Sequence, residues 1–224
     1  MNVNAKVLKR FVIYMAILTF VMFTVWGFVK SFMNRPAGDY ETEVCDIRLK
    51  DKKYEQALEA ANEALNKTPN HRGAMMCKAL VFISEKKYIK ADKVLSKLII
   101  FLEKNLEDDD RTGIGTLAAA YANRGIIKDR NKNYEGALQD YVKALGIDHE
   151  AVAGPGLGTI ILNYKFKSSS VKERALYLNE QLQLPEDERV LSIEELDAGQ
   201  VMHKPGKLLK LINPNTSLKS TKKK

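Results

Sequence analysis

Apolar positions along this chain follow two different patterns. Residues 11–29, FVIYMAILTFVMFTVWGFV, form one run without a charge. As a helix rising about 1.5 Å per residue the run spans about 28 Å, close to a bilayer hydrocarbon core of about 30 Å. Tyr14 and Trp26 lie near its two ends, where amphipathic aromatics favour the headgroup level. Further on, small and apolar residues recur at helical spacing. KYEQALEAANEAL (53–65) places Tyr54, Ala57, Leu58, Ala64 and Leu65 at the intervals of Tyr134, Ala137, Leu138, Ala144 and Leu145 in NYEGALQDYVKAL (133–145). KYIKADKVLSKLI (87–99) is a looser copy, with Tyr88, Ala91, Leu95, Leu98 and Ile99. Such segments bury one stripe and leave Glu, Gln, Lys and Asn outside, so an all-α fold is expected.

The copies are spaced regularly. Tyr54 to Tyr88 and Ala57 to Ala91 are both 34 residues, and Tyr88 to Tyr134 is 46, one period plus an insertion of 12. This resembles the tetratricopeptide repeat, a 34-residue helix-turn-helix unit. In that family the second helix opens on an aromatic residue, carries Ala three residues on and a further Ala or Leu seven beyond, and often closes on Pro. Tyr54, Ala57, Ala64 and Pro69 match; Tyr88, Ala91 and Leu98 match in part; Tyr134, Ala137 and Ala144 match, with His149 where Pro is usual. First helices carry an aromatic with a small residue four later. Tyr121 with Gly125 matches, Met75 with Ala79 matches loosely, and Glu41 with Cys45 matches through the small residue only. Independently of the family, Ala57, Ala79, Ala91, Gly125 and Ala137 let antiparallel helix backbones approach closely. One helix pair cannot cover its own apolar face, so about three or more units are expected to stack.

The resemblance implies a tetratricopeptide superhelix plus one N-terminal transmembrane helix. Residues 1–10 are a basic flank, 11–29 the span, 30–37 a linker, and 38–71, 72–105 and 118–151 three repeats with the insertion between the last two. Residues 152–200 are a degenerate fourth repeat or helical cap, in which Lys172, Ala175, Leu176 and Leu182 echo the second helix and LGTIILNYKF (157–166) holds the first; GPGLG before it departs from the pattern. In the insertion, LSKLIIFLEKNL extends the second helix of the middle repeat, and EDDDRT supplies acids and a cap for the next. Residues 201–224, with Pro, Asn, Ser and Lys, are expected to be a basic disordered tail. That tail is solvated, or its KLLKLI contacts anionic lipid.

Charge refines this division. The formal net charge of +8 fits a nucleic-acid or anionic-membrane binder, but residues 1–35 carry five basic residues and no acids and residues 201–224 carry seven and none. Between them the balance is mildly acidic, so no basic folded face, and no nucleic acid as partner, is expected. The apolar run exceeds the h-region of a cleaved signal peptide, and GFVKSFMNRPAG offers no A-x-A site; a retained anchor is expected. Lys6, Lys9, Arg10 and the amino terminus precede it and Lys30 and Arg35 follow, a slight bias toward a cytoplasmic N-terminus.

Catalytic chemistry finds no foothold. Cys45 and Cys77, with His71, His149 and His203, lack the spacing of a zinc site. The cysteines read as small buried apolar side chains, or as a disulfide if the compartment is oxidising. Asp108 to Asp110 lack the alternation and closing Glu of a calcium loop. GIG (113–115) and GPGLG (154–158) lack the spacing and the Lys of phosphate loops. No enzyme, metal or cofactor is expected.

What the resemblance implies is a protein or peptide partner in a concave groove lined by first helices. Its side chains are Thr42, Asp46 and Leu49, then Met76, Leu80 and Ile83, then Ala122, Ile126 and Arg130. Family members that bind chaperones clamp a C-terminal carboxylate with Lys and Asn at such positions, which this sequence lacks; the groove centre is apolar. The function expected is a membrane-anchored scaffold in a bacterial inner membrane, facing the periplasm. The alternatives are a cytosol-facing receptor or chaperone-docking protein on an organelle membrane, and an enzyme using residues 152–203.

Overall fold

The computed structural model describes residues 5–33, 35–152, 171–193, 200 and 202, and among them every regular element is a helix. The chain divides into two compact units, Met1–Glu85 and Lys86–Lys224.

The first unit opens with α1, Ala5–Met33, which runs beyond the uncharged segment on both sides. Within its stretch Lys6–Lys30 an 18-residue window reaches a mean hydropathy of 2.2, and none of that window is buried. Large side chains such as Phe20 and Phe28 are 70% and 78% exposed, the reverse of a core helix. Among the described residues it is the one helix long and apolar enough to cross a membrane.

α2 (Asp39–Lys50) and α3 (Tyr54–Lys67) form an antiparallel pair. Lys67 near the end of α3 meets Glu41 near the start of α2 at 2.7 Å, and the Thr68 hydroxyl donates to the Ala37 carbonyl at 2.7 Å. α4 (Arg72–Ser84) runs beside α2 in the same direction, with His71 at its N-cap 2.9 Å from Asp39 at the first residue of α2. One cluster of its core is built from small residues: Cys45, Ala57, Ala60, Ala61, Cys77 and Val81, flanked by Val44, Leu49, Tyr54 and Leu58. With alanine at those positions the helix axes come close and leave no gap for longer side chains to fill.

Cys45 and Cys77 are buried, as expected, and of the two states left open by the sequence they adopt the disulfide, with a Cα–Cα distance of 6.4 Å. The bond joins α2 to α4 and encloses all of α3. Closing a loop of that length restricts the unfolded chain by about 3–4 kcal/mol.

In the second unit α5 (Tyr88–Asn105), α6 (Arg111–Arg130) and α7 (Tyr134–Ile147) run up, down and up. Along α5 and α6, Tyr88 lies under Arg130, the Ser96 hydroxyl accepts from Arg124 at 3.1 Å, and Glu103 accepts from the Tyr121 hydroxyl. The inserted residues lengthen helices on both sides: α5 and α6 have 18 and 20 residues, against 14 in α3 and α7. The acid run does cap α6, since Asp110 accepts from Gly113 N–H at 2.8 Å. α6 nevertheless starts well before residue 118.

A short α8 (His149–Val152) follows, then α9 (Val171–Leu182), which packs on α7. α9 buries Val171, Arg174, Ala175 and Leu178, while Lys172 and Leu176 face solvent. The inward stripe therefore keeps Ala175 and half-buried Leu182 of the expected positions and replaces Lys172 and Leu176 with Val171, Arg174 and Leu178. The expected first helix in 157–166 and, apart from half-buried Met202, the basic tail lie outside the described residues.

The repeat period is written in the backbone as well. Lys52, Lys86 and Lys132 have φ of 59°, 59° and 61°, each two residues before the tyrosine that opens the next helix and therefore spaced by the same 34 and 46 residues. In the first and last of these turns a six-to-one hydrogen bond closes the helix, Lys53 N–H to Arg48 and Asn133 N–H to Lys128, both at 2.8 Å. This is a left-handed helix stop of the kind usually given to glycine.

Candidate partner-binding surface

The nine side chains expected to line a groove are divided between the two units. In the first, Thr42, Asp46 and Leu49 on α2 are half-buried. The Thr42 hydroxyl donates to the Gly38 carbonyl at 2.8 Å. Met76, Leu80 and Ile83 on α4 are 2–3% exposed. In the second unit Ala122 and Ile126 are buried in α6, and Arg130 is exposed with its guanidinium 5.8 Å from the Tyr88 ring. Five of the nine are thus core side chains here; surface is offered by Thr42, Asp46, Leu49 and Arg130.

Two shallow depressions open on the first unit. One, of about 280 Å³, lies where residues 35–38 lead into α2 beside the end of α3, and is lined by Arg35, Tyr40, Glu41 and Lys67 among others. The other, of about 550 Å³, is an acidic face of α3 with Glu55, Glu59 and Glu63 around Leu58. Neither contains a residue of the expected groove.

Several polar groups that look chemical in isolation are occupied by the fold. His71 bonds Asp39 through Nε2, while its Nδ1 accepts the Ala74 N–H at 3.2 Å and caps α4. Glu41 is held below its ordinary pKa mainly by the hydrogen bond from Lys67, whose own value is raised in return. Arg124 grips both oxygens of Asp140 at 2.8 and 2.7 Å, with the Lys128 ammonium 2.8 Å from one of them. Tyr121, the aromatic of the third first helix, lies beneath Arg124 and Lys143. Burial, and then its bond to Glu103, pushes its hydroxyl up to about 12. Among the described residues no group of three or more His, Cys, Asp and Glu side chains is placed to hold a metal.

The sequence reading missed one site. Asp129 accepts from Arg174 Nε and Nη2, both at 2.8 Å, from the Tyr141 hydroxyl at 3.2 Å and from Gln200 Nε2 at 2.9 Å. A signal for it existed: the intervals 42–46–49 and 76–80–83, carried to the third unit, give 122–126–129, which selects Asp129 where Arg130 was chosen.

No family model matches the chain, and no curated protein matches it. Among solved structures the Arabidopsis OM64 TPR domain is similar, at 16% identity and a TM-score of 0.42 over 58% of this chain and 93% of that one. The fold assignment rests on the chain's own geometry: antiparallel helix pairs, alanine-lined contacts, and left-handed turns recurring at the sequence period. The described helices form helix-turn-helix units of the tetratricopeptide type behind one long apolar N-terminal helix.

Proposed function

We propose that this chain is a single-pass membrane scaffold whose helical repeats recruit a protein or peptide partner on the non-cytoplasmic side, the periplasm of a bacterium. The observation that carries this is the Cys45–Cys77 disulfide. Disulfides persist in oxidising compartments and are rare where glutathione keeps thiols reduced, which favours this side over a cytosol-facing receptor. The uncovered apolar surface of α1 supports an anchor, because a helix apolar on every face needs lipid or a large core around it. Helix-turn-helix stacks commonly act by binding other chains, so a scaffold is favoured over an enzyme. The repeat-to-partner contacts are assigned to the groove series unit by unit: in the first unit Thr42, Asp46 and Leu49 are its accessible members beside buried Met76, Leu80 and Ile83, and in the second Arg130 is accessible beside buried Ala122 and Ile126.

Site-specific photocrosslinking in cells tests the partner. A crosslinker at Leu49 or Arg130 is expected to capture a discrete protein, while the same group at the exposed α3 position Glu59 captures none. Capture of the same species from all three positions, or from none, would remove the groove from the account.

A further inference from the structure

Charge on α5 is sorted by face. At about 100° per residue, Ile89, Ile100, Lys93, Lys104, Lys97 and Lys90 follow one another in that order within an arc of about 100°, and no other residue of the helix enters it. All six are exposed, the two isoleucines at 73% and 67%. The two acids of the helix lie outside the arc and act on α6: Glu103 accepts from the Tyr121 hydroxyl, and Asp92 is near enough to Arg124 to favour its charged form. What α5 presents outward is a ridge of four cations and two isoleucines. The mildly acidic balance of the repeats as a whole conceals this ridge, because that balance counts residues without regard to face.

The chemistry of the ridge matches the surface of a bilayer. Its isoleucines stand about 16 Å apart along the helix axis, with lysines between and beside them. Lysine stems lie along apolar surface while their ammonium groups reach outward to phosphate. Ile89 and Ile100 can then enter the boundary between headgroups and acyl chains, as apolar residues do on helices lying in a membrane interface. A straight, convex ridge meets a plane along its whole length. Lysines are drawn to anionic headgroups, but the attraction fades within a Debye length, so the ridge acts only on a surface already close by.

We propose that the Lys-Ile ridge of α5 docks on anionic phospholipid of the membrane that α1 anchors. The proposal rests on the reading of α1 as an anchor, and on neither the side of the membrane nor the groove. Tethering by α1 raises the effective concentration of the ridge at the bilayer, so a contact too weak to hold a free protein suffices.

The test uses the full chain in nanodiscs of phosphatidylcholine alone and of phosphatidylcholine mixed with phosphatidylglycerol. A polarity-sensitive fluorophore is attached to Ile100→Cys without reductant, so that the Cys45–Cys77 disulfide stays closed. Its emission should shift to the blue in the anionic discs and not in the neutral ones. Adding Lys93→Gln, Lys97→Gln and Lys104→Gln should weaken docking about a hundredfold, about fivefold for each lysine, and return the emission to its value in neutral discs. The same emission in both kinds of disc overturns the proposal, as does a shift that survives the three substitutions. A shift produced by added polyglutamate and not by anionic lipid also overturns it, and would assign the ridge to an acidic protein. Co-elution with neutral discs at high salt reads the anchor separately: a chain that leaves those discs but still shifts its emission on anionic ones supports the ridge and removes the anchor.

Discussion

Gly125 lies against the ring of Tyr141: a Cβ at residue 125 would stand 2.6 Å from Tyr141 Cε1, 2.7 Å from Cδ1 and 3.3 Å from the Ala137 carbonyl oxygen. The contact between α6 and α7 at this point requires the absence of a side chain. Gly125→Ala should therefore destabilise the second unit by about 1–2 kcal/mol, the overpacking penalty outweighing a gain of about 1 kcal/mol in helix propensity. Gly146, also in a helix but with nothing within 4 Å of an added Cβ, should accept Ala with a neutral or stabilising effect. Urea midpoints of the two variants check the pair.

The three left-handed lysines make an opposite prediction. A side chain at φ near 60° costs about 1–2 kcal/mol, part of which glycine gives back through its greater unfolded-state freedom. Lys52→Gly, Lys86→Gly and Lys132→Gly should each raise stability by about 0.5–1 kcal/mol. Thermal midpoints of single and triple variants measure this.

Buried Asp129 depends on Arg174, which is 1% exposed. Arg174→Met would leave a carboxylate inside the unit with only Tyr141 and Gln200 to solvate it, at a cost of about 3–5 kcal/mol. Adding Asp129→Leu to it removes the stranded charge and should recover most of that loss. A double-mutant cycle on chemical unfolding reads the coupling.

Most of the repeat architecture was legible because it rests on side-chain size at fixed intervals. Ala57, Ala91, Ala137 and Gly125 announce close helix contacts whatever surrounds them, and all four are buried. The apolar stretch of α1 was equally plain. The register of α9 was not: Lys172 and Leu176 echo the family's spacing, but α9 turns Arg174 inward because Asp129, 45 residues earlier, is there to receive it. Such pairing is a property of the folded chain, invisible to local periodicity. The groove side chains failed to separate from core for a related reason, since Met76, Leu80 and Ile126 satisfy the spacing of both. The cysteines left two states open because only the fold brings α2 beside α4.

Acid should expose the link between Glu41 and Lys67. Glu41 is depressed below its ordinary value of 4.5, chiefly by the Lys67 hydrogen bond. Its stabilising effect is therefore complete above about pH 4.5 and is lost as the pH falls through the lower folded value. Lys67, raised above 10.5, gives its contribution below that pH and loses it as the pH rises through the folded value. Glu41→Gln should reduce stability at pH 7 and flatten the dependence below pH 4.5 relative to wild type. Unfolding midpoints between pH 3 and 7 record the difference.

The disulfide and the side of the membrane stand or fall together, and one measurement reads both: alkylation of Cys45 and Cys77, which are buried, after acid quenching and denaturation of spheroplasts of a bacterium expressing the full chain, with external protease added in parallel to intact spheroplasts. The account predicts that both thiols stay unmodified until a reductant is supplied, and that protease removes the helical repeats from intact spheroplasts. Alkylation of both cysteines without reductant, in repeats that protease reaches only after the membrane is opened, would contradict it.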